Sequence, residues 1–303
     1  MKKAVIDIGT NSVKYMLADT EGKREPSILK DVQVITKLGE GLRKNGVISP
    51  LAATRTADSV KEFFLDAVKD GAEDIRLVGT MALRTASNAD GFVEKVKTAT
   101  GLEIDILSGE REAALSFSGA VAGFDLSNVK RFCTIDTGGG STELVFAEDG
   151  KIICKTSLKI GALLLTEKYF SKDKISKGDL KEAERELETV FGDSKPPFAV
   201  QLAIGIGGNV TSIASVFKKV VKYDPKEIHG TEISYEEIER QIEEYSSKNL
   251  EERRQIRGLD PERADIILAG ACIIRHALKF CGCRELVVST KGLRHGILNR
   301  ITY

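Results

Sequence analysis

The sequence predicts an α/β protein with two domains, each built from a mixed sheet flanked by helices. Apolar runs of strand length alternate with segments of helical periodicity, which is typical of the α/β class. The chain has 303 residues, about twice the length of a common domain. In addition, one strand–turn–strand pattern occurs twice, which indicates a duplicated unit.

The repeated pattern is a carboxylate at the end of an apolar run, followed directly by a glycine turn. Asp7 and Asp136 carry the carboxylate in the two copies, which are offset by 129 residues. The same offset carries Gly79 onto Gly208, each at the end of a later apolar run. Because two separate matches share one offset, we expect related domains that face each other across a cleft, where phosphate-type ligands bind.

The first domain is expected to span residues 1–117. Its strands are indicated by apolar runs between turn residues, and its helices by apolar residues spaced three and four apart. Ser49 and Pro50 mark a helix start, because serine caps the first turn and proline fits its first position. The predicted strands are 4–8, 13–18, 33–38, 74–78 and 102–107, and the predicted helices are 49–68, 89–98 and 109–122.

The second domain is expected to span residues 118–303. It begins with the second copy of the repeated pattern and continues as α/β with a more helical tail. The predicted strands are 132–136, 143–147, 200–206 and 285–289, and the predicted helices are 163–170, 177–190, 209–217, 235–246 and 261–278.

The composition argues against several classes of protein. There are 45 basic and 45 acidic residues, so bulk charge does not favour nucleic-acid binding, and aromatics at 6% provide few stacking surfaces. No apolar run reaches the roughly 18 residues of a membrane span, and Asp7 ends the first apolar run too early for a signal peptide. We therefore expect no nucleic-acid or membrane partner, a cytoplasmic location and five reduced cysteines.

The two glycine turns carry the polar groups that point to chemistry. Glycine lets the backbone come close to a ligand, and successive amides of such a turn form an anion-binding concavity, completed by side chains such as Asn11 and Ser12. A carboxylate beside a polyanion suggests Mg²⁺, which takes oxygen ligands. The alternative is a pair of hairpin turns with capping aspartates. The duplication, with Gly138–Gly140 in the second copy, favours the phosphate site.

These motifs give the chain a family resemblance. It resembles the exopolyphosphatase and guanosine pentaphosphate phosphohydrolase (Ppx/GppA) family, within the actin, Hsp70 and sugar-kinase superfamily. The resemblance implies two RNase H-like (actin-like ATPase) domains around a cleft, in the short form without a further helical domain. The matching segments cover nearly the whole chain in order: 7–12, 79–84, 108–113, 135–143, 205–208, 258–265 and 292–296.

The resemblance also implies the roles of individual residues. Glu112 matches the catalytic glutamate, and Asp136 and Glu143 match acidic residues that handle metal and water. Asp7, the equivalent of Asp136, is the third expected metal ligand. Arg84 matches a phosphate-binding arginine, with a surface salt bridge as the alternative. The expected phosphate-binding residues are Asn11, Ser12, Arg84, Gly138, Gly139, Gly140, Ser141, Thr142, Gly207, Gly208 and Asn209.

The activity implied by the resemblance is Mg²⁺-dependent hydrolysis of terminal phosphoanhydride bonds. The substrate would be inorganic polyphosphate, guanosine pentaphosphate or both, with release of phosphate, and a homodimer is a family-level expectation. One alternative is an ATPase or phosphotransferase of the same superfamily. Another is a nucleotide- or phosphate-sensing binding protein, against which the retention of Glu112, Asp136 and Glu143 argues.

Two positions depart from the family pattern. Thr290 and His295 stand where acidic residues are common, so no metal role is carried over to them. A basic cluster is typical of a solvated face, with contacts to a long polyanion as the alternative; it contains Arg253, Arg254 and Arg257.

Overall fold

The computed structural model describes residues 1–21, 26–192 and 195–301. The chain divides into two compact units, which are described separately. Unit 1 contains Met1–Gly119 and the segment that starts at Leu293, and unit 2 contains Ala120–Gly292.

Unit 1 is built on a mixed sheet. Within the described part of the chain, this sheet has five strands in the order β3-β2-β1-β4-β5. The first three strands along the chain pair antiparallel, whereas β1, β4 and β5 pair parallel. The strands are β1 (Lys2–Ile8), β2 (Ser12–Asp19), β3 (Ser27–Ile35), β4 (Asp74–Gly79) and β5 (Ile104–Ile106).

Three helices of unit 1 lie where the sequence pattern predicts them, and two short helices, Leu42–Asn45 and Met81–Thr85, were not predicted. Ser49 is the N-cap of the long second helix, and its Oγ accepts a hydrogen bond from the Ala52 N–H at 3.2 Å, as the Ser-Pro pair predicts. The last helix of this group contains the boundary between the units. The helices are α1 (Leu42–Asn45), α2 (Pro50–Lys69), α3 (Met81–Thr85), α4 (Ala89–Thr100) and α5 (Gly109–Val121).

Unit 2 repeats the sheet of unit 1. Its described residues form a six-stranded mixed sheet in the order β10-β11-β9-β6-β7-β8, in which β6 to β9 are paired as β1 to β4 are in unit 1. The predicted α/β class with two mixed sheets is therefore confirmed. The strands are β6 (Arg131–Thr137), β7 (Thr142–Glu148), β8 (Lys151–Leu158), β9 (Leu202–Ile206), β10 (Glu232–Ser234) and β11 (Glu285–Val288).

The strand register changes one detail of the predicted repeat. Asp7 lies opposite Val78 in the β1–β4 pair, and Asp136 lies opposite Ile206 in the β6–β9 pair. The offset of the later strand is therefore 128 residues (206 minus 78) rather than 129. The counterpart of Gly79 in unit 2 is consequently Gly207 rather than Gly208.

Several helices of unit 2 pack against one mainly apolar helix, α12. Twelve of its fifteen residues are buried, because neighbouring elements cover most of its surface. Even so, no helix in the three described ranges is long and apolar enough to cross a membrane. The helices are α6 (Ala162–Tyr169), α7 (Lys177–Phe191), α8 (Gly207–Lys218), α9 (Pro225–Ile228), α10 (Tyr235–Ser247), α11 (Leu250–Arg254) and α12 (Ile267–Cys281).

The predicted helix 261–278 is wrong in its first turn and a half. Pro261–Arg263 form a separate 3₁₀ turn, and the α-helix begins only at Ile267. The side chain of Asp260 caps the 3₁₀ turn by accepting a hydrogen bond from the Glu262 N–H at 3.0 Å. The sequence pattern shows the proline and the cap as a start signal, but not that the turn stops after three residues.

The helix α13 (Leu293–Ile301) belongs to unit 1, although the sequence placed all of 118–303 in the second domain. Its Ile297 and Leu298 are buried in one apolar cluster with Val5 of β1 and Met16 of β2. The boundary differs because these side chains complete the core of unit 1, which is a tertiary effect that no local pattern reports.

A close backbone contact fixes α13 in this position. A Cβ at Gly296 would lie 1.8 Å from the carbonyl oxygen of Leu115, so no other residue fits without a shift of the helix. Arg294 of the same helix forms an ion pair with Asp31 of β3. The last sequence motif, Gly-Leu-Arg with a second glycine, thus has a packing role in unit 1.

We predict that Gly296→Ala lowers the free energy of unfolding by about 1–3 kcal/mol, because the added methyl group overpacks this contact. Gly91→Ala is the matched control, since Gly91 lies in α4 of the same unit with open space around its Cα. This control should gain roughly 0.5–1 kcal/mol from helix propensity. Urea unfolding measures both values, and a Gly296→Ala variant as stable as the parent chain would contradict the contact.

Candidate active site

In the glycine turn between β6 and β7, two backbone N–H groups point away from α6. The carbonyls of Gly138 and Gly139 accept hydrogen bonds from the N–H groups of Ala162 and Leu163, both at 2.9 Å. In a trans peptide, the N–H points opposite to the carbonyl of the preceding residue. The N–H groups of Gly139 and Gly140 therefore point away from α6, in an arrangement that suits an anion.

Two carboxylates stand side by side at the edge of this turn. Asp136 and Glu143 are directly paired across β6 and β7, so their side chains share one face of the sheet. Glu143 is buried, and its Oε1 accepts a hydrogen bond from the Ser157 Oγ at 2.7 Å. The carboxylate of Asp136 lies against Gly207, where an added Cβ would be 2.8 Å from Oδ1.

The start of α8 provides a second group of donors in unit 2. The helix begins at Gly207, directly after β9, and the first N–H groups of a helix lack partners within it and favour anions. A Cβ at Gly208 would lie 2.3 Å from Nη2 of Arg263, so the guanidinium covers this first turn. Burial lowers the pKa of Arg263 from its usual value, a penalty that a bound anion would offset.

Two expected phosphate contacts make side-chain hydrogen bonds within unit 2. The Thr142 hydroxyl is fully buried and donates to the Ile160 carbonyl at 2.7 Å. The Asn209 Nδ2 donates one N–H to the Thr137 carbonyl at 2.7 Å, and its Oδ1 is packed against Gly270. Both hydrogen bonds join distant parts of the chain and so help to hold the turn and α8 in place.

The corresponding turn in unit 1 has different chemistry. Asp7 is buried at the end of β1, and its Oδ2 lies 3.8 Å from the Lys14 Nζ. Lys14 faces Asp7 across β1 and β2, the position that Glu143 holds opposite Asp136 in unit 2. Unit 1 therefore presents a carboxylate with an ammonium group, whereas unit 2 presents two carboxylates.

Asn11 is the residue of this turn that most clearly points to a ligand. Its side chain is buried, and neither Nδ2 nor Oδ1 has a hydrogen-bond partner among the described residues. Each buried polar group without a partner costs about 1–3 kcal/mol. Ser12 closes the turn, because its carbonyl accepts from the Gly9 N–H at 3.0 Å. The predicted binding role of Asn11 agrees with this geometry.

The structure brings Arg84 and Glu112 together in unit 1. The Arg84 Nη1 donates to the Glu112 Oε2 at 3.0 Å and to the Leu107 carbonyl at 2.6 Å. The two side chains are only 24% and 13% exposed, so this ion pair is half-buried rather than on the open surface. Glu110, one position before Arg111, is exposed. Nη2 and Nε of Arg84 remain as further donors for an anion.

The family of the chain follows from its match to a family model. The model of the Ppx/GppA phosphatase family matches residues 5–302. The chain belongs to this family. The resemblance seen in the sequence motifs is thereby confirmed.

Three curated relatives of this Ppx/GppA chain differ in length and name. The bifunctional 3-dehydroquinate synthase/phosphatase of Fusobacterium nucleatum is 33% identical over 95% of this chain, which spans 44% of that protein. Exopolyphosphatase 2 of Mycobacterium tuberculosis is 27% identical over 97% of this chain and 96% of its own length. Guanosine-5'-triphosphate,3'-diphosphate pyrophosphatase of Vibrio atlanticus is 28% identical, and this chain spans 58% of it.

A solved structure supports the same family. The crystal structure of the Aquifex aeolicus Ppx/GppA family member superposes with a TM-score of 0.81 at 32% identity. The superposition covers 99% of this chain and 97% of that one. The two mixed sheets flanked by helices are thus the fold of the Ppx/GppA family.

The acidic pair of this Ppx/GppA protein fits a magnesium ion. Asp136 and Glu143 offer carboxylate oxygens on one face of the sheet. In the described ranges, no group of three or more His, Cys, Asp or Glu residues is arranged so that it could hold a metal ion. Two carboxylates still suffice, because Mg²⁺ takes its other ligands from water and phosphate oxygens.

Sequence reasoning missed two cationic residues of the Ppx/GppA site. Lys14 was detectable, since the 129-residue offset aligns it with Glu143 and so exposes a charge reversal. Arg263 lies inside the matched segment 258–265, but its position over Gly208 depends on a contact between distant parts of the chain.

Thr290 is one of the two positions that depart from the family pattern. Its N–H donates to the His229 Nδ1 at 3.3 Å.

We predict that Gly208→Ala displaces the Arg263 guanidinium and weakens the binding of inorganic tripolyphosphate by about 10–100-fold, the worth of one charge-assisted hydrogen bond. Gly178→Ala is the control, because Gly178 is the second residue of α7 as Gly208 is of α8, and no clash follows there. Isothermal titration calorimetry measures both affinities. Equal affinity of the two variants would show that Arg263 does not contribute to anion binding.

Proposed function

We propose that this protein hydrolyses the terminal phosphoanhydride bond of inorganic polyphosphate or guanosine pentaphosphate and releases phosphate. The observation that carries the proposal is the half-buried Arg84–Glu112 pair, in a unit whose glycine turn holds the unsatisfied Asn11. Relatives that match along nearly the whole chain are named for these two substrate classes. The chemistry of phosphoryl transfer consists largely of positioning and charge stabilisation, which these groups supply.

Glu112 is the proposed general base. The Arg84 Nη1 donates to its Oε2 at 3.0 Å, which fixes the orientation of the carboxylate. A carboxylate held in this way orients the attacking water and accepts its proton. Because the transition state of phosphoryl transfer is loose, the base contributes by positioning more than by bond formation.

The proposed phosphate donors in unit 2 are backbone amides and one arginine. The N–H groups of Gly139 and Gly140, the first turn of α8 and the Arg263 guanidinium are all preorganised by the fold. Donors that are fixed in advance stabilise developing negative charge without reorganisation. In unit 1, the Asn11 amide and the remaining Arg84 N–H groups serve the same purpose.

The proposed cofactor is Mg²⁺, held first by Asp136 and Glu143. When bound, the ion would neutralise charge on the phosphate oxygens. Ser157 orients Glu143 through the 2.7 Å hydrogen bond, and the position of Asp136 beside Gly207 keeps its carboxylate near the start of α8. The role of Asp7 as a third ligand stays a prediction; within unit 1 its Oδ2 lies 3.8 Å from the Lys14 Nζ.

A phosphate-release assay with three substrates tests the function. We expect release from long-chain polyphosphate or guanosine pentaphosphate in Mg²⁺, little from ATP, and none in excess chelator. Asp136→Asn should lower kcat by at least about 100-fold, because it removes a charged metal ligand. Turnover of ATP alone would favour the ATPase alternative. Full activity of Asp136→Asn in excess chelator would show that the reaction needs no metal ion.

We predict that Glu112→Gln lowers kcat by about 10²–10⁴-fold, the usual worth of a positioned base, while polyphosphate still binds. Glutamine keeps the size of the side chain and one acceptor but loses the basicity. Glu110→Gln is the matched control, since Glu110 is exposed in the same turn of α5. Steady-state kinetics distinguish the two variants. If Glu112→Gln keeps full kcat, another carboxylate activates the water, and Glu143 is the next to test.

Three expectations from the sequence stay predictions. They are the homodimer, the cytoplasmic location and the absence of nucleic-acid and membrane partners. The preference between polyphosphate and guanosine pentaphosphate is decided by the same assay, from the ratio of kcat/KM for the two substrates.

A further inference from the structure

Arg253 of α11 is buried, in contrast to the basic cluster in which the sequence places it. It is 2% exposed, whereas the side chain of the next residue, Arg254, is 43% exposed and forms an ion pair with Glu251. Arg257 is also exposed and donates its Nε to the Lys219 carbonyl at 3.2 Å. Burial of a guanidinium costs desolvation free energy. The contacts that Arg253 makes inside the protein therefore indicate its structural role.

The contacts of Arg253 lie on the segment that carries Arg263. Its Nη1 donates to the Ala264 carbonyl at 3.2 Å, directly after Arg263 in the chain. Burial lowers the pKa of Arg253 from its usual value, and the nearby carboxylates of Asp265 and Asp173 act in the opposite direction. Arg253 therefore links α11 to the backbone on the C-terminal side of Arg263.

The other side of Arg263 is held as well. The Arg263 N–H donates to the Asp260 carbonyl at 2.9 Å, and the Asp260 side chain caps the same 3₁₀ turn. Held on both sides, the turn has little freedom to move the guanidinium that covers Gly208 at the start of α8. Arg263 thus owes its position to contacts that are remote from the anion site itself.

We propose that Arg253 is a positioning residue that sets the Arg263 guanidinium over the first turn of α8 and so tunes the affinity for a phosphate chain. The inference takes its ligand class, a phosphate chain, from the proposed function. Its test does not require hydrolysis, because a binding measurement alone detects the effect. A residue with a merely structural role would lower stability and would affect binding equally with or without the Arg263 side chain.

A double-mutant cycle on the full chain tests the proposal, with inorganic tripolyphosphate as the probe in isothermal titration calorimetry. We expect Arg253→Met to weaken binding about tenfold in the parent chain and less than about twofold when Arg263→Met is already present, because the two side chains act as one. Arg254→Met is the control and should leave the affinity unchanged. Equal losses in both backgrounds would overturn the proposal.

A second variant keeps the test decisive if Arg253→Met does not fold. Arg253→Lys retains the charge but not the planar donor geometry, and thermal unfolding shows whether it is native. The same cycle with Arg253→Lys should give a smaller but still Arg263-dependent loss of affinity. A loss that does not depend on Arg263 would again overturn the proposal. Absence of hydrolysis by the parent chain, with this coupling present, would contradict the proposed function alone.

Discussion

The parallel pairing of β6 with β9 is the constraint on which the unit 2 site depends. Parallel strands end at the same edge of a sheet, so the carboxylate near the end of β6 meets the helix that starts after β9. Asp136 and Gly207 come into contact for this reason, although they are far apart in the chain. The glycine turn after β6 and the guanidinium of Arg263 over Gly208 then add donors at that edge.

The duplicated sheets show that a backbone can be repeated while its chemistry diverges. In both units an antiparallel hairpin follows the first strand, and the register across it is the same. The residue opposite the aspartate is nevertheless Lys14 in one unit and Glu143 in the other. Two adjacent carboxylates repel each other unless a cation lies between them. A carboxylate beside an ammonium group already has an opposite charge next to it. Divergence of this kind gives two turns with the same backbone register different local charges.

Local patterns predicted most of the fold and the repeated aspartates with their glycine turns, whereas the roles of Glu112 and Glu143 were implied only by the family resemblance. The cap at Ser49, the strand ends at Asp7 and Asp136 and the helix that carries Glu112 depend on neighbouring residues only, so the sequence reports them. Contacts between distant segments were not predictable. The burial of Arg253 within a basic cluster, the use of the Thr142 and Asn209 donors and the placement of α13 all depend on which surfaces meet after folding.

The placement of α13 has a consequence for the order in which the chain acquires structure during synthesis. The helix follows the whole of unit 2 in the chain, yet Ile297 and Leu298 close the core formed by β1 and β2. On the ribosome, unit 2 therefore has its complete set of residues before unit 1 does. Until then the apolar side chains of Val5 and Met16 lack their cover. Synthesis of unit 1 thus begins before that of unit 2 and is completed after it.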